Sequence, residues 1–238
     1  MSSVARGARA DMQSRGHALI SAMRLDLVYL FAEGVFQYPL IILMPFVFLL
    51  AFRNDFGYML SVSMETYSFG ALIVTMAVVD VQSGYRLRAL MPVARHIQVL
   101  SRYVLGLMMA LIASVMVALL NLVQSLAVSD WSLAANMPMT VGALLIVLAI
   151  VTIWIPLGYR SNSVNGLQVG LLVVYVIFLA VLLMWSELPH GFTASVLGVF
   201  AVLGSHAVPV AVVGLAIAVA LYAVSYAISA RIYQRKEW

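Results

Sequence analysis

Six apolar runs, each with almost no charge inside it, leave this chain few ways to fold. They cover roughly residues 35–52, 59–80, 102–128, 139–158, 165–185 and 208–230. A helix needs about 20 apolar residues to cross the hydrocarbon core of a bilayer, where its backbone polar groups must be paired within the protein. Only 9% of the residues are charged and 64% are hydrophobic, with a mean hydropathy of +1.06. A water-soluble domain of this length needs far more charge to cover its surface. The fold class expected is therefore all-α, a polytopic membrane protein with six transmembrane helices. The first run carries Pro39 and Pro45, and each proline removes a backbone donor, so a kinked helix is expected there. Cysteine is absent, which excludes disulfides and thiolate metal sites.

The charges that remain set the orientation. Arg6, Arg9, Arg15 and Arg24 precede the first run; Arg86, Arg88, Arg95 and Arg102 follow the second; Arg160 follows the fourth; Arg231, Arg235 and Lys236 follow the sixth. Only Arg53 falls on the other side, a division of twelve against one. By the positive-inside rule both termini are expected in the cytosol, which agrees with an even number of spans. The first apolar run lies too far along the chain, behind too many charges, for a cleavable signal sequence. Residues 1–34 read as a cytosolic tail and an interfacial segment, and residues 35–238 as the transmembrane domain.

Two segments do not fit a plain bundle. In residues 17–34, Leu19, Ile20, Met23, Leu27, Leu30 and Phe31 recur at helical spacing, with Arg24 and Asp26 off that stripe. This segment is too charged to span; it reads as an amphipathic helix lying in the interface, or as an extension of the first span. Residues 186–209 are mostly apolar but broken by Pro189, Gly191, Gly198, Gly204 and Pro209. They read as a re-entrant hairpin entering from outside, or as a loop resting on the membrane.

The densest basic stretch is "RLRALMPVARHIQVLSRYVLG", Arg86 to Gly106. Pro92 can open a helical turn, so the segment from Met91 reads as a short helix entering the third span. It serves either as a topology-setting cluster against anionic headgroups or as a docking surface for a soluble partner. Here "LMPVARHIQVLSRYVLGL" resembles the segment after the second helix in six-helix permease subunits of ABC exporters, the type V (type-2 ABC transporter permease) family. Pro92, Val93, Arg95, Val99 and Tyr103 match that pattern, Arg102 stands where lysine is usual, and Asp80 lies near the usual upstream acid. "IPLGYRSNSVNGLQVG" (155–170) is similar to the family's tight turn between helices 4 and 5, and "SYAISARIYQRKEW" (225–238) to its ending.

The resemblance implies an elbow helix, six spans and an extracellular hairpin before the last span. It implies two permease subunits, identical or homologous, working with two copies of a separate ABC ATPase that binds ATP and magnesium. The coupling surface would be Arg86, Arg88, Pro92, Val93, Arg95 and His96, with Arg160 from the second cytosolic turn. The chain itself lacks G-x-x-x-x-G-K-[ST], and its one lysine is Lys236, so no nucleotide site, catalytic residue or cofactor is expected within it. The implied setting is a bacterial plasma membrane, with lipid and no nucleic acid as further company.

Polar residues inside the runs are the remaining candidates. Glu65 sits in the outer part of the second run, and an acid there is read as snorkelling, as packing, or as a substrate contact. Asn121 and Gln124, nearly a turn apart, either tie helices together or line a pathway. Asp80 is expected to pair with an arginine. Gly166 and Gly170 form G-x-x-x-G, which permits close helix approach. His190 and His206 are too isolated to suggest a metal site. A membrane enzyme would need paired acids or a histidine pair within the spans, and none is present. Walls of Val, Leu, Met and Phe favour amphipathic or hydrophobic cargo, peptide or lipid-like. The competing reading is an assembly or immunity-type membrane protein with no ATPase.

Overall fold

Long apolar runs become long helices, because a helix is the one open-ended element that pairs its own backbone in lipid. A computed structural model describes residues 16–28, 37–82, 93–161, 164–183 and 207–235. Among these residues the chain is all-helical: α1 (16–28), α2 (Gln37–Ala51), α3 (Asp55–Gln82), α4 (Arg95–Ala127), α5 (Leu133–Arg160), α6 (Val164–Leu183) and α7 (Ala207–Arg235). Four of them, α3, α4, α5 and α7, contain segments long and apolar enough to cross a membrane. The chain is thus a polytopic helical membrane protein. α2, with 15 residues, is about 22 Å long at 1.5 Å per residue.

The turns follow from local chemistry. Asn54 caps α3 by accepting from the Gly57 amide at 2.8 Å. A side chain at Gly57 would start 1.9 Å from the Phe52 carbonyl oxygen, so only glycine allows α2 to fold back onto α3 this tightly. Ser132 caps α5, accepting from the Ala135 amide at 3.3 Å. Pro45 lies inside α2, and Pro138 and Pro156 lie inside α5.

α5 is the centre of the bundle, packed against α3, α4 and α7, while α2 and α6 flank α3. Small residues draw the helices together: a Cβ on Gly106 would lie 2.8 Å from Val151, and one on Gly158 2.7 Å from the Ala77 Cβ. Val99, Ala110 and Ala113 of α4 and Val147 and Val151 of α5 are fully buried in the resulting core. The outward faces are apolar too. Val115, Val174, Val212, Val219 and Ile217 are exposed, as suits a bundle solvated by lipid tails rather than water.

Two local expectations change. The basic stretch is not a separate short helix: from Arg95 it is the first part of α4, continuous to Ala127. Asp26 is not on the free side of α1. It is 3% exposed and faces α4, while Ile20, on the expected apolar stripe, is 63% exposed. A charge pair, described below, shares the docked face of α1 with Met23 and Leu27 of the stripe. Arg86, Arg88, Pro92, His190, His206 and the expected hairpin up to Ala207 lie outside the described residues.

Candidate functional site

One end of the bundle collects α1, the start of α4, the end of α5 and the end of α7, and carries Arg24, Arg95, Arg102, Arg160, Arg231 and Arg235. At this basic end the polar side chains bond across helices. Arg102 Nε lies 3.3 Å from Asp26 Oδ1, with both side chains almost fully buried. Ser101 Oγ lies 3.3 Å from the other Asp26 oxygen, its one hydrogen shared with the nearer Gln98 carbonyl at 2.8 Å. One acid on α1 is thereby held by two consecutive residues of α4.

α7 is tied in by a second set. Ser225 donates its hydroxyl hydrogen to the Thr152 carbonyl at 2.7 Å, joining α7 to α5. A hydroxyl has one hydrogen, so at the 2.6 Å contact with Ser225 it is Tyr103 that donates, and at 2.8 Å Ser229 donates to Tyr103. Tyr222 Oη donates to the Tyr103 carbonyl. Lower down, Tyr233 Oη donates to Gln98 Oε1 at 2.6 Å, and Gln98 Nε2 turns back to the Val93 carbonyl at 2.9 Å. Arg95 Nη1 donates to the Gln234 carbonyl at 3.0 Å, a cation at the C-terminal end of α7 where the helix dipole favours one.

A cavity of about 470 Å³ opens between α3, α5 and α6. Met59, Val62, Met139, Ile146, Ile150 and Val174 make it apolar; Ser63, Thr66, Tyr67 and Tyr175 bring hydroxyls to it, and Trp154 completes an aromatic side. Tyr67 and Tyr175 stack with centroids 3.8 Å apart, closing α6 onto α3. Apolar walls with a few polar groups on one side are the usual character of a small-molecule site. Ser63 and Thr66 also return hydrogen bonds to Met59 and Val62 of their own helix, so the α3 wall presents mainly carbon.

The seam between α3 and α4, around the helix from the cavity, is different again. Glu65 is 0% exposed, and neither carboxyl oxygen has a hydrogen-bond partner. It is ten residues into α3, about 15 Å along the axis, so it does not snorkel. Gln124 is equally buried with its amide oxygen and nitrogen both unpartnered, and so is the Tyr58 hydroxyl.

The residues singled out from sequence are therefore distributed, not gathered. Arg95 and His96 are exposed on the first turn of α4, Val93 is half-buried just before them, and Arg160 is exposed on the last turn of α5, all at the basic end. Asn121 does not line the cavity: it accepts from Trp131 Nε1 at 2.8 Å and donates to the carbonyl of Leu133, the first residue of α5, at 3.1 Å, tying α4 to the start of α5 across their turn. Gly170 faces Trp154 of α5, whose ring would lie 2.7 Å from an added Cβ, while Gly166 is exposed. Asp80 is in the last turn of α3. Sequence reading gave Asp26 and Tyr103 no bonding role and missed Gln98, Ser225, Ser229 and Tyr233. For α7 there was a signal: Tyr222, Ser225, Tyr226 and Ser229 repeat at three and four residues, which aligns them on one face.

A multi-span helical bundle with a basic, cross-braced end and an apolar cavity defines a polytopic membrane protein. Residues 25–234 match the sequence profile of the ABC-2 family transporter proteins, and the chain belongs to that family. It is thus a membrane permease of an ABC transporter, whose kind works with an ABC ATPase. No curated protein and no solved structure matches the chain.

Proposed function

We propose that the chain is the transmembrane subunit of an ATP-driven exporter that moves amphipathic or hydrophobic cargo, peptide or lipid-like, out of the cytosol by alternating access. The observation that carries this reading is the α3–α5–α6 cavity, apolar over nearly all of its wall, with Tyr67, Tyr175 and Trp154 along its aromatic side. It suits a molecule with one greasy face and cannot replace the hydration of a small ion or sugar. The reading includes six spans with both termini cytosolic, α1 as an interfacial elbow, a re-entrant hairpin within 186–207, and a second permease subunit in a bacterial plasma membrane. ATP and magnesium belong to two copies of the ATPase, and the chain has no catalytic role of its own.

The coupling surface in this reading is the basic end, formed by Arg86, Arg88, Pro92, Val93, Arg95 and His96 with Arg160. The bonds from Tyr103, Gln98 and Arg95 to α7, and from Ser101 and Arg102 to α1, favour a push on this surface moving three helices as one body.

The test is cargo-stimulated ATP hydrolysis by the permease reconstituted with its ATPase. Gly142 lines the cavity, and nothing lies within 4 Å of where its Cβ would be, so Gly142→Trp fills the space without a clash at the backbone. Stimulation by amphipathic cargo is lost in that variant while the complex still assembles. Undiminished stimulation would refute the cavity as the cargo site. Separately, Arg88→Glu with Arg95→Glu lowers ATPase stimulation in a permease that still inserts; full turnover in the double variant removes the coupling assignment.

A further inference from the structure

A carboxyl group buried without a partner is among the costlier things a membrane protein can contain. The serine and threonine hydroxyls around Glu65 are satisfied inside α3: those of Ser61, Ser63, Thr66 and Ser68 donate to the carbonyls of Gly57, Met59, Val62 and Met64 at 2.6–2.8 Å. Glu65 sits in the midst of these and has nothing. Such an exception calls for a complement supplied at another moment of the working cycle.

The complement of a carboxyl group is a cation, and the nearest place for one to arrive is the cavity. Val62, Ser63 and Thr66, which bracket Glu65 in sequence, all line it. Successive helical residues lie about 100° apart, so Glu65 is displaced from the cavity wall by a single residue's step around α3. The same cavity carries Tyr67, Tyr175 and Trp154 on its aromatic side, and ring faces attract organic cations independently of any carboxylate. An acid one step away and an aromatic wall thus make the same demand of a ligand.

We propose that Glu65 is a specificity-determining residue of the cargo path: it selects amphipathic cargo bearing an ammonium or guanidinium group, which it meets when α3 turns its acidic face toward the cavity. In the state described here the carboxyl is fully buried and does not line the cavity. This inference rests on the cavity being the cargo site, and it narrows amphipathic to cationic amphipathic.

The experiment compares two probes on the permease–ATPase complex in liposomes: a helical amphipathic peptide with four lysines on its polar face, and the same peptide with those lysines replaced by glutamine. In the wild type the lysine peptide stimulates hydrolysis at the lower concentration. Glu65→Gln, the same size without the charge, raises the half-maximal concentration of the lysine peptide about tenfold or more, the scale of a charge-assisted contact, and moves that of the glutamine peptide less than about twofold. Glu65→Asp keeps the preference in part. Co-elution of each variant with the ATPase verifies folding. If Glu65→Gln leaves both concentrations unchanged, or abolishes stimulation by both peptides in an assembled complex, charge recognition is overturned while the cargo cavity stands. If neither peptide stimulates the wild type, the cavity reading fails and this inference with it.

Discussion

The basic end and the α3–α4 seam both bury polar side chains in a mostly apolar bundle, and they treat them in opposite ways. At the basic end Asp26, Arg102, Gln98, Tyr103, Ser225 and Ser229 are buried and bonded across helices. Along the seam Tyr58, Glu65 and Gln124 are buried just as deeply and bonded to nothing. Fully bonded polar groups fix one arrangement of helices, whereas unbonded ones raise the energy of the arrangement that buries them and so favour departure from it. One region fixes how its helices sit, and the other leaves buried polar groups unsatisfied.

The contrast is broken most severely at Asp26 and Arg102. Removing one partner leaves the other charge buried, at a cost of about 3–5 kcal/mol. Arg102→Met is expected to melt far below the wild type in detergent, whereas Asp26→Leu with Arg102→Met recovers most of the loss. A single variant as stable as the wild type would show that the pair is not buried in solution.

Tyr103→Phe comes next. It removes the hydroxyl that links Ser225 and Ser229, at about 1–2 kcal/mol, and loosens α7 from α4. Amide exchange in the last two turns of α7 is expected to quicken, and unchanged protection there would detach Tyr103 from the brace. At the opposite end, Asn121→Ala releases the Trp131 indole and costs about 1 kcal/mol, read in the same melts and in a shift of tryptophan emission.

The smallest effects carry the opposite sign. Gln124→Met and Tyr58→Phe each delete a polar group that has no partner and keep the volume. Their melting points are expected to equal or exceed the wild type by the equivalent of about 1 kcal/mol or less. A clear loss of stability in either would mean that the seam's polar groups are bonded after all, and the two regions would no longer differ.

The helices were legible from sequence because the apolar runs carry the information locally. Ser132, Asn54 and Gly57 shape the helix starts and the α2–α3 turn, though the apolar runs alone carried the reading. What was not legible was rotation. Asp26 was placed off the apolar stripe of α1, since periodicity counts greasy positions and cannot register that Arg102, 76 residues later, offers a better partner than lipid or water does. Asn121 and Gln124 looked alike on paper. One meets Trp131 across the turn and the other meets nothing, a difference set by packing. Glu65 stood out as an acid in an apolar run, but its depth and isolation depend on where α4 lies. The cavity could not be read at all, since it exists only between three helices.

The hold that Tyr103 has on α7 also bears on how the chain is made. Its partners Ser225 and Ser229 lie 122 and 126 residues further along, and Arg95 reaches a carbonyl 139 residues away. Translation adds on the order of 5–20 residues per second, so α4 waits several seconds or longer in the bilayer with its tyrosine, glutamine and serine faces open before α7 is synthesised. During that interval α4 must shelter those faces against the insertion machinery or α5, and a ribosome stalled before residue 207 leaves a chain with an unfilled polar groove. Such a groove gives a membrane quality-control protease the means to tell an unfinished chain from a finished one.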